Sequence, residues 1–422
     1  MDLNQVVLNL EIVHSRKVLE PSWVVSQRAM PDGEVPFLST DFVSEACRGI
    51  YLPEDIVKAA VAAADLVARV PSLCALAWHC HWCLYHVRGY SSRLADNWPC
   101  MTGPLGELAG LFYLLVLLSR FPQMRAVHRA HGIPDRVVRD SMEQIYLRGE
   151  TCSEIFGRWG LDGHAARWLA NFLRGDIYAL GRLEHQFNVM DDPFRVYRHR
   201  EASTVIALSE DGVSYRRDGQ RHRGGDAPAA WTSRLRITGD RIAGHPLLPT
   251  GRASEEMVTL ATADWVPVLE PGDPVLYFHI PGGIPLDHAA CGDSFRAAMD
   301  FFPRHFPERP YKAFFCGSWL LDTQLEDWLP SGSNLVRFMR EFYLVPGGIS
   351  ERSILQTVFG NAADDLRIAP GDTSLQRAIR DHVSAGSPID PRAGKCFLFP
   401  DDLDWGRQVY RTSKFPWHLV GC

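Results

Sequence analysis

No stretch of this sequence stays apolar long enough to cross a membrane. The most apolar run, Leu108 to Leu118, is about half of the ~20 residues that a spanning helix needs and reads as a core helix. Charge of one sign is not in excess. Lys plus Arg number 44 and Asp plus Glu 50, a net charge of −6, so the chain has no global electrostatic attraction to nucleic acid or anionic lipid. Cysteine is sparse, ten in 422 residues, which excludes a disulfide scaffold and points to reduced thiols in a cytoplasmic protein. The start, Met1-Asp2-Leu3-Asn4, has neither the basic residues nor the apolar core of a signal peptide. Internal repeats and low-complexity segments are also missing. What is present, 46% apolar and 22% charged residues, is the balance of a folded chain too long for one ordinary domain.

The first half carries helical periodicity. Pro53-Glu54-Asp55 opens a helix that runs to Val70, where Pro71 stops it. Further helices are predicted at about 73–87, 105–120, 134–149 and 164–174, the last closed by Gly175. Past Gly175 the pattern turns to strands, at 194–208, 257–268, 275–280 and 311–316, with a hairpin around Gly239-Asp240. One clear helix, about 287–305, places Cys291, Phe295, Ala298 and Phe302 on one side, and a helical stretch follows at 334–342. The fold class is therefore α+β: an all-helical domain over 1–175, then a mixed-sheet α/β domain over 176–422. Its core is expected at about 176–345, with a C-terminal extension at 346–422.

Four segments carry candidate chemistry. In Val275 to Leu286 an apolar strand runs through His279 into Ile280-Pro281-Gly282-Gly283-Ile284-Pro285 and then a helix. Glycines there let a backbone approach a ligand, and free amides attract an anion; a plain strand-to-helix connection has the same spacing. In Phe314 to Leu321 a strand ends at Cys316-Gly317-Ser318, and strand alternation puts the thiol and the hydroxyl on one side. A buried structural cysteine accounts for it equally. His79, Cys83 and His86 lie at i, i+4 and i+7 and would offer zinc ligands. Without a partner motif an aromatic-rich packed helix is the better reading, and no metal is expected. Arg216 to Gly225 is the one basic cluster; its Asp-Gly reads as a solvated hairpin tip, or as an arm for an acidic partner such as a carrier protein or the 3′-phosphate of CoA.

Taken together, His279-Ile280-Pro281-Gly282-Gly283, Phe301-Phe302-Pro303 with Phe306-Pro307, Phe315-Cys316-Gly317-Ser318-Trp319-Leu320-Leu321, Ser333-Asn334 and Tyr178-Ala179-Leu180-Gly181-Arg182-Leu183-Glu184 resemble a bacterial acyltransferase family. That family joins a helical N-terminal domain to a GNAT-like C-terminal domain, and the likeness covers most of residues 50–345. It implies two parallel strands that splay apart around acyl-CoA or acetyl-CoA. The pyrophosphate would meet Ile280, Gly282, Gly283, Ile284 and Asp287, and the thioester would lie near His279 and Cys316 or Ser318. The sequence departs from the usual phosphate-loop pattern by its prolines, which remove amide donors.

Implied chemistry is direct attack of an amine, from a small molecule or a peptide, on a thioester of CoA or of an acyl-carrier protein. His279 or Glu184 would serve as base, and Ser318 or Tyr343 as acid. Two other readings compete. Cys316 would be a covalent nucleophile with His279 as its base, or the fold would bind a ligand without catalysis. Nucleic-acid and membrane partners are not expected.

Overall fold

The computed structural model describes all residues except 88–91, 223–228, 283, 348–353, 360–365, 367–368, 388, 391 and 421–422. The chain divides into two compact units, Met1–Leu180 and Gly181–Cys422. In the first unit the predicted helices are present as Glu54–Arg69, Pro71–Tyr85, Asp135–Thr151 and Gly163–Arg174. The helix expected at 105–120 is instead a 3-10 segment, Gly106–Leu111, followed by an α-helix, Phe112–Leu118, every residue of which is buried. Gly175 ends the fourth helix with φ of 74°, a left-handed conformation that glycine adopts without strain. Helices at Leu3–Asn9, Trp23–Arg28, Thr40–Gly49 and Phe121–Ala130 were not read from the pattern. No single helix among the described residues is long and apolar enough to cross a membrane.

The sheet that matters for the site lies in the second unit. Its strands within this unit are β1 (Leu183–Val189), β2 (Pro274–His279), β3 (Phe314–Ser318), β4 (Tyr343–Pro346) and β5 (Gly394–Leu398). Their spatial order is β1-β2-β3-β5-β4. All neighbours are antiparallel except β2 and β3. Parallel neighbours need a crossover, and here it is the helix α1 (His288–His305). Its predicted apolar face is buried: Phe295 meets Phe278 at 5.1 Å and Phe314 at 4.9 Å, and Phe302 meets Phe187 at 4.9 Å. Edge-to-face rings of this kind add about 0.5–1.5 kcal/mol each beyond burial. A second antiparallel sheet is built from Phe194–His199, Val205–Ser209, Pro246–Leu248, Arg252–Ala253 and Trp265–Leu269. The Gly239-Asp240 hairpin forms, between Leu235–Ile237 and Arg241–Gly244.

The stretch 346–422, expected as an extension beyond the core, instead supplies β5, an interior strand. Cys396 stands opposite Cys316 on one side and Leu344 on the other. Its first residue, Gly394, is required by a close approach. A Cβ there would lie 1.8 Å from the Leu321 carbonyl oxygen and 2.9 Å from the Leu321 Cβ. Gly394→Ala should therefore destabilise the protein by about 3 kcal/mol, the range of a forced overpacking. Urea denaturation measures this, and a midpoint unchanged from wild type would contradict the packing.

Candidate active site

β2 and β3 share only two registered positions, Leu276 with Phe314 and Tyr277 with Phe315. Beyond them the strands no longer pair with each other. Each nevertheless stays bonded to its outer neighbour. β2 continues along β1 to the pair His279–Glu184, and β3 along β5 to the pair Ser318–Gly394. The parallel pair thus opens at its carboxyl ends, where open α/β sheets take their ligands. The inner edges beyond Tyr277 and Phe315 carry backbone groups without ladder partners, which are strong donors and acceptors.

The pleat decides which side chains meet. Tyr277 packs on Phe315 at 5.1 Å, so these two share a face. Alternation puts His279 on that same face, and Glu184, its registered partner on β1, beside it. Gln186 lies two residues along from Glu184, and its Oε1 is 2.9 Å from His279 Nε2. His185, between them, points the other way and bonds Ser294 of α1 at 3.1 Å. Glu184 is 4% exposed, and burial pushes its carboxyl up to about 7, opposed by the Arg182 charge. Burial lowers His279 to about 4, so the imidazole is neutral at pH 7. Tyr277 reaches Asp191 at 3.4 Å. Of the two bases suggested by the sequence, the carboxylate has the affinity near neutrality that proton transfer requires.

Cys316 and Ser318 fall on the opposite face, so the structure does not bring Cys316 and His279 together. The Cys316 thiol is 4% exposed, and burial pushes it up to about 12, which suppresses the thiolate that a nucleophile needs. Ser318 caps a short 3-10 helix, its Oγ accepting from the Leu320 amide at 3.2 Å. Tyr343 is buried, donating to the Leu247 carbonyl and accepting from the Ala207 amide at 3.1 Å. Its hydroxyl ties β4 to the second sheet, and burial moves its pKa upward, away from a proton donor's range.

The loop after β2 is held from the turn just before β1. Arg182 donates through Nε to the Pro285 carbonyl (3.0 Å) and through Nη2 to the carbonyls of Pro281 (3.0 Å) and Ile284 (2.8 Å). In trans peptides N–H and C=O point oppositely, so the Gly282 and Leu286 amides face away from the guanidinium. Neither makes a hydrogen bond among the described residues. Gly282 has open space where a Cβ would be, Ile280 is half-buried and Ile284 is 56% exposed. Gly283 lies outside the described residues. Asp287 caps α1, its Oδ1 accepting from the Ala290 amide at 2.8 Å. A carboxylate thus already sits at the helix start. The loop amides, rather than the helix end, are the donors left open to an anion.

Outside this region, the zinc-like spacing resolves into packing. His79 Nδ1 bonds Ser26 Oγ at 2.9 Å, Cys83 lies 3.5 Å from His79 Nε2, and His86 stacks on Trp82 at 4.7 Å. The basic cluster is not a free tip as far as it is described. Arg216 pairs with Asp218 and Asp390, Gln220 is buried, and Arg221 approaches Asp192 at 3.7 Å.

Residues 177–396 match the GNAT-like C-terminal domain family, and residues 41–175 the N-acyltransferase N-terminal domain family. The chain belongs to this N-acyltransferase family. No curated protein compared with this acyltransferase matches it. Among solved structures, an acyltransferase mutant in complex with octanoyl-CoA is similar over 94% of this chain and 99% of its own, with 22% identity and a TM-score of 0.61. An acyltransferase in complex with decanoyl-CoA and teicoplanin is similar over the same shares, with 22% identity and a TM-score of 0.60. At that identity the likeness is one of fold.

Gln186 and Arg182 were not picked out from the sequence as site residues. The alternation along Leu183–Val189 would have flagged Gln186 beside Glu184; nothing local signals the Arg182 clamp. With Cys316 turned from the site, Cys316→Ala should leave kcat of the acyltransferase within about threefold of wild type, against the much larger losses that follow removal of a nucleophile. Intact-protein mass after incubation with an acyl donor should show no adduct on this thiol; a stable adduct abolished by the substitution would reverse the assignment.

Proposed function

We propose that this acyltransferase moves an acyl group from acyl-CoA to an amine by direct attack, with Glu184 as the base. The observation that carries the reading is a nearly buried carboxylate, poised near neutrality, beside His279 where β2 and β3 part. The thioester carbonyl would lie in the parting, its oxygen toward backbone amides freed from the ladder. The amine lone pair attacks the carbonyl carbon. The C–N bond forms as the C–S bond breaks, Glu184 takes the proton leaving nitrogen, and the CoA thiolate is protonated from solvent. His279, neutral and bonded to Gln186, orients the incoming amine. The loop amides of Gly282 and Leu286 hold the pyrophosphate.

Structures of similar fold were solved with octanoyl-CoA, decanoyl-CoA and teicoplanin, so medium-chain acyl-CoAs and a glycopeptide amine are the donors and acceptor to test first. An acyl-carrier protein is the alternative donor, distinguished by replacing CoA with a carrier-bound acyl group in the same assay. A reducing compartment is supported by the nine described cysteines, which form no disulfide among the described residues, and we place the protein in the cytoplasm on that ground.

Glu184 supplies the test. Unfolded, it releases its proton near 4.5; folded, near 7. Between those values the unfolded chain binds fewer protons, so this group makes stability fall as pH rises, with the full cost present above 7. The gap corresponds to about 3 kcal/mol. Glu184→Gln should therefore raise Tm at pH 8, leave it unchanged at pH 4, and lower kcat by about 10²–10⁴. Thermal melts at both pH values, with turnover of decanoyl-CoA and an amine, measure this. A variant of normal kcat would remove Glu184 from the mechanism.

A further inference from the structure

We infer that Arg182 is the positioning residue of the donor site: its guanidinium holds the carbonyls of Pro281, Ile284 and Pro285 so that the Gly282 and Leu286 amides are presented to the acyl-CoA pyrophosphate. The inference rests on the acyl-CoA reading above. Its ground is geometric. One side chain donates to three carbonyls of a single loop, at Pro281, Ile284 and Pro285, over 2.8–3.0 Å. Two of those carbonyls belong to the prolines that delete amide donors, so the loop has few amides left to aim. Turning the Pro281 carbonyl inward turns the Gly282 amide outward, and the Pro285 carbonyl does the same for Leu286. The fork geometry of arginine suits this task, because its donors are fixed in one plane, whereas a lysine ammonium is a point charge. A loop with three inward carbonyls and no cation would have to turn them toward solvent, carrying the two amides with them.

Arg182 also reaches the base. Glu184 lies two residues further along the chain, at the start of β1, and the Arg182 charge favours its ionised form. The other groups near the pair are His279 on β2, neutral by burial, Gln186 on β1 and Cys291 on α1, whose thiol burial pushes up to about 12. None of these carries a charge at pH 7, so Arg182 is the cation that limits the rise that burial imposes on Glu184. Removing a cation raises a carboxyl pKa.

The experiment compares Arg182→Gln and Arg182→Lys with wild type, each confirmed folded by circular dichroism. Hydrogen exchange of residues 280–287 is followed without ligand, decanoyl-CoA affinity by calorimetry, and kcat across pH 5–9. Both variants should exchange faster in the loop and bind decanoyl-CoA at least tenfold more weakly. The acidic limb of kcat should move to higher pH in Arg182→Gln and stay in place in Arg182→Lys, which keeps the charge without the fork. A purely structural arginine would not split the two variants in that way. Folded variants that keep wild-type affinity and wild-type loop exchange overturn this inference alone. Wild-type protein that binds no acyl-CoA overturns the reading beneath it, and this inference with it. Should Arg182→Gln fail to fold, the affinity and loop exchange of Arg182→Lys decide the question.

Discussion

Two parallel strands in register at only two positions are a liability in any sheet, because the backbone groups on their facing edges beyond the last pair have lost their ladder partners. β2 and β3 tolerate the loss because each is held from outside, β2 by β1 over its whole length and β3 by β5 over its own. The opening is therefore a fixed gap rather than a frayed end. The rest of the site follows from it. The gap exposes the inner strand edges, sets the loop after β2 beside Arg182, and leaves Glu184 and His279 as a cross-strand pair at its margin. Closure of the ladder would satisfy more hydrogen bonds and abolish the place where a ligand can lie.

Burial around this gap works against stability and in favour of reactivity. A carboxylate at a surface would titrate near its ordinary value and be a weak base at neutral pH. Glu184 is deprived of water and holds its proton more firmly. The same desolvation leaves His279 uncharged, so two titratable groups in one enclosure are pushed in opposite senses and take different roles. Arg182 limits the effect by lying close enough to keep the carboxyl within reach of neutrality. The local rule that buried charges are paired is bent here at the place where chemistry is wanted.

Much of this was legible in the sequence because periodicity survives without knowledge of partners. The helix 288–305 announced itself through Cys291, Phe295, Ala298 and Phe302, and the strand before it through an unbroken apolar run. The family likeness then supplied the idea of a splay. What the sequence could not show was pairing. Alternation placed Cys316 and Ser318 on one side of β3, but which side faces His279 depends on Tyr277 standing opposite Phe315, a register set by packing on α1. Tyr343 looked available for the same reason, until its hydroxyl proved to be bound by Ala207 and Leu247. β5 was missed because Gly394-Lys395-Cys396-Phe397-Leu398 is short, with partners that are remote in the chain.

That remoteness shapes how the protein is made. Phe314 pairs with Leu398 and Tyr343 with Phe397, so during synthesis β3 and β4 exist as two separate bare edges until the segment carrying β5 has left the ribosome. Contacts between distant parts of a chain form slowly, and unpaired edges invite association in the meantime. The enzyme cannot assemble its sheet progressively from the amino-terminal side. It has to keep β3 soluble, then admit a late strand between two earlier ones, and only then does the gap acquire its second wall. A chain that ends before residue 394 lacks the strand that joins β3 to β4.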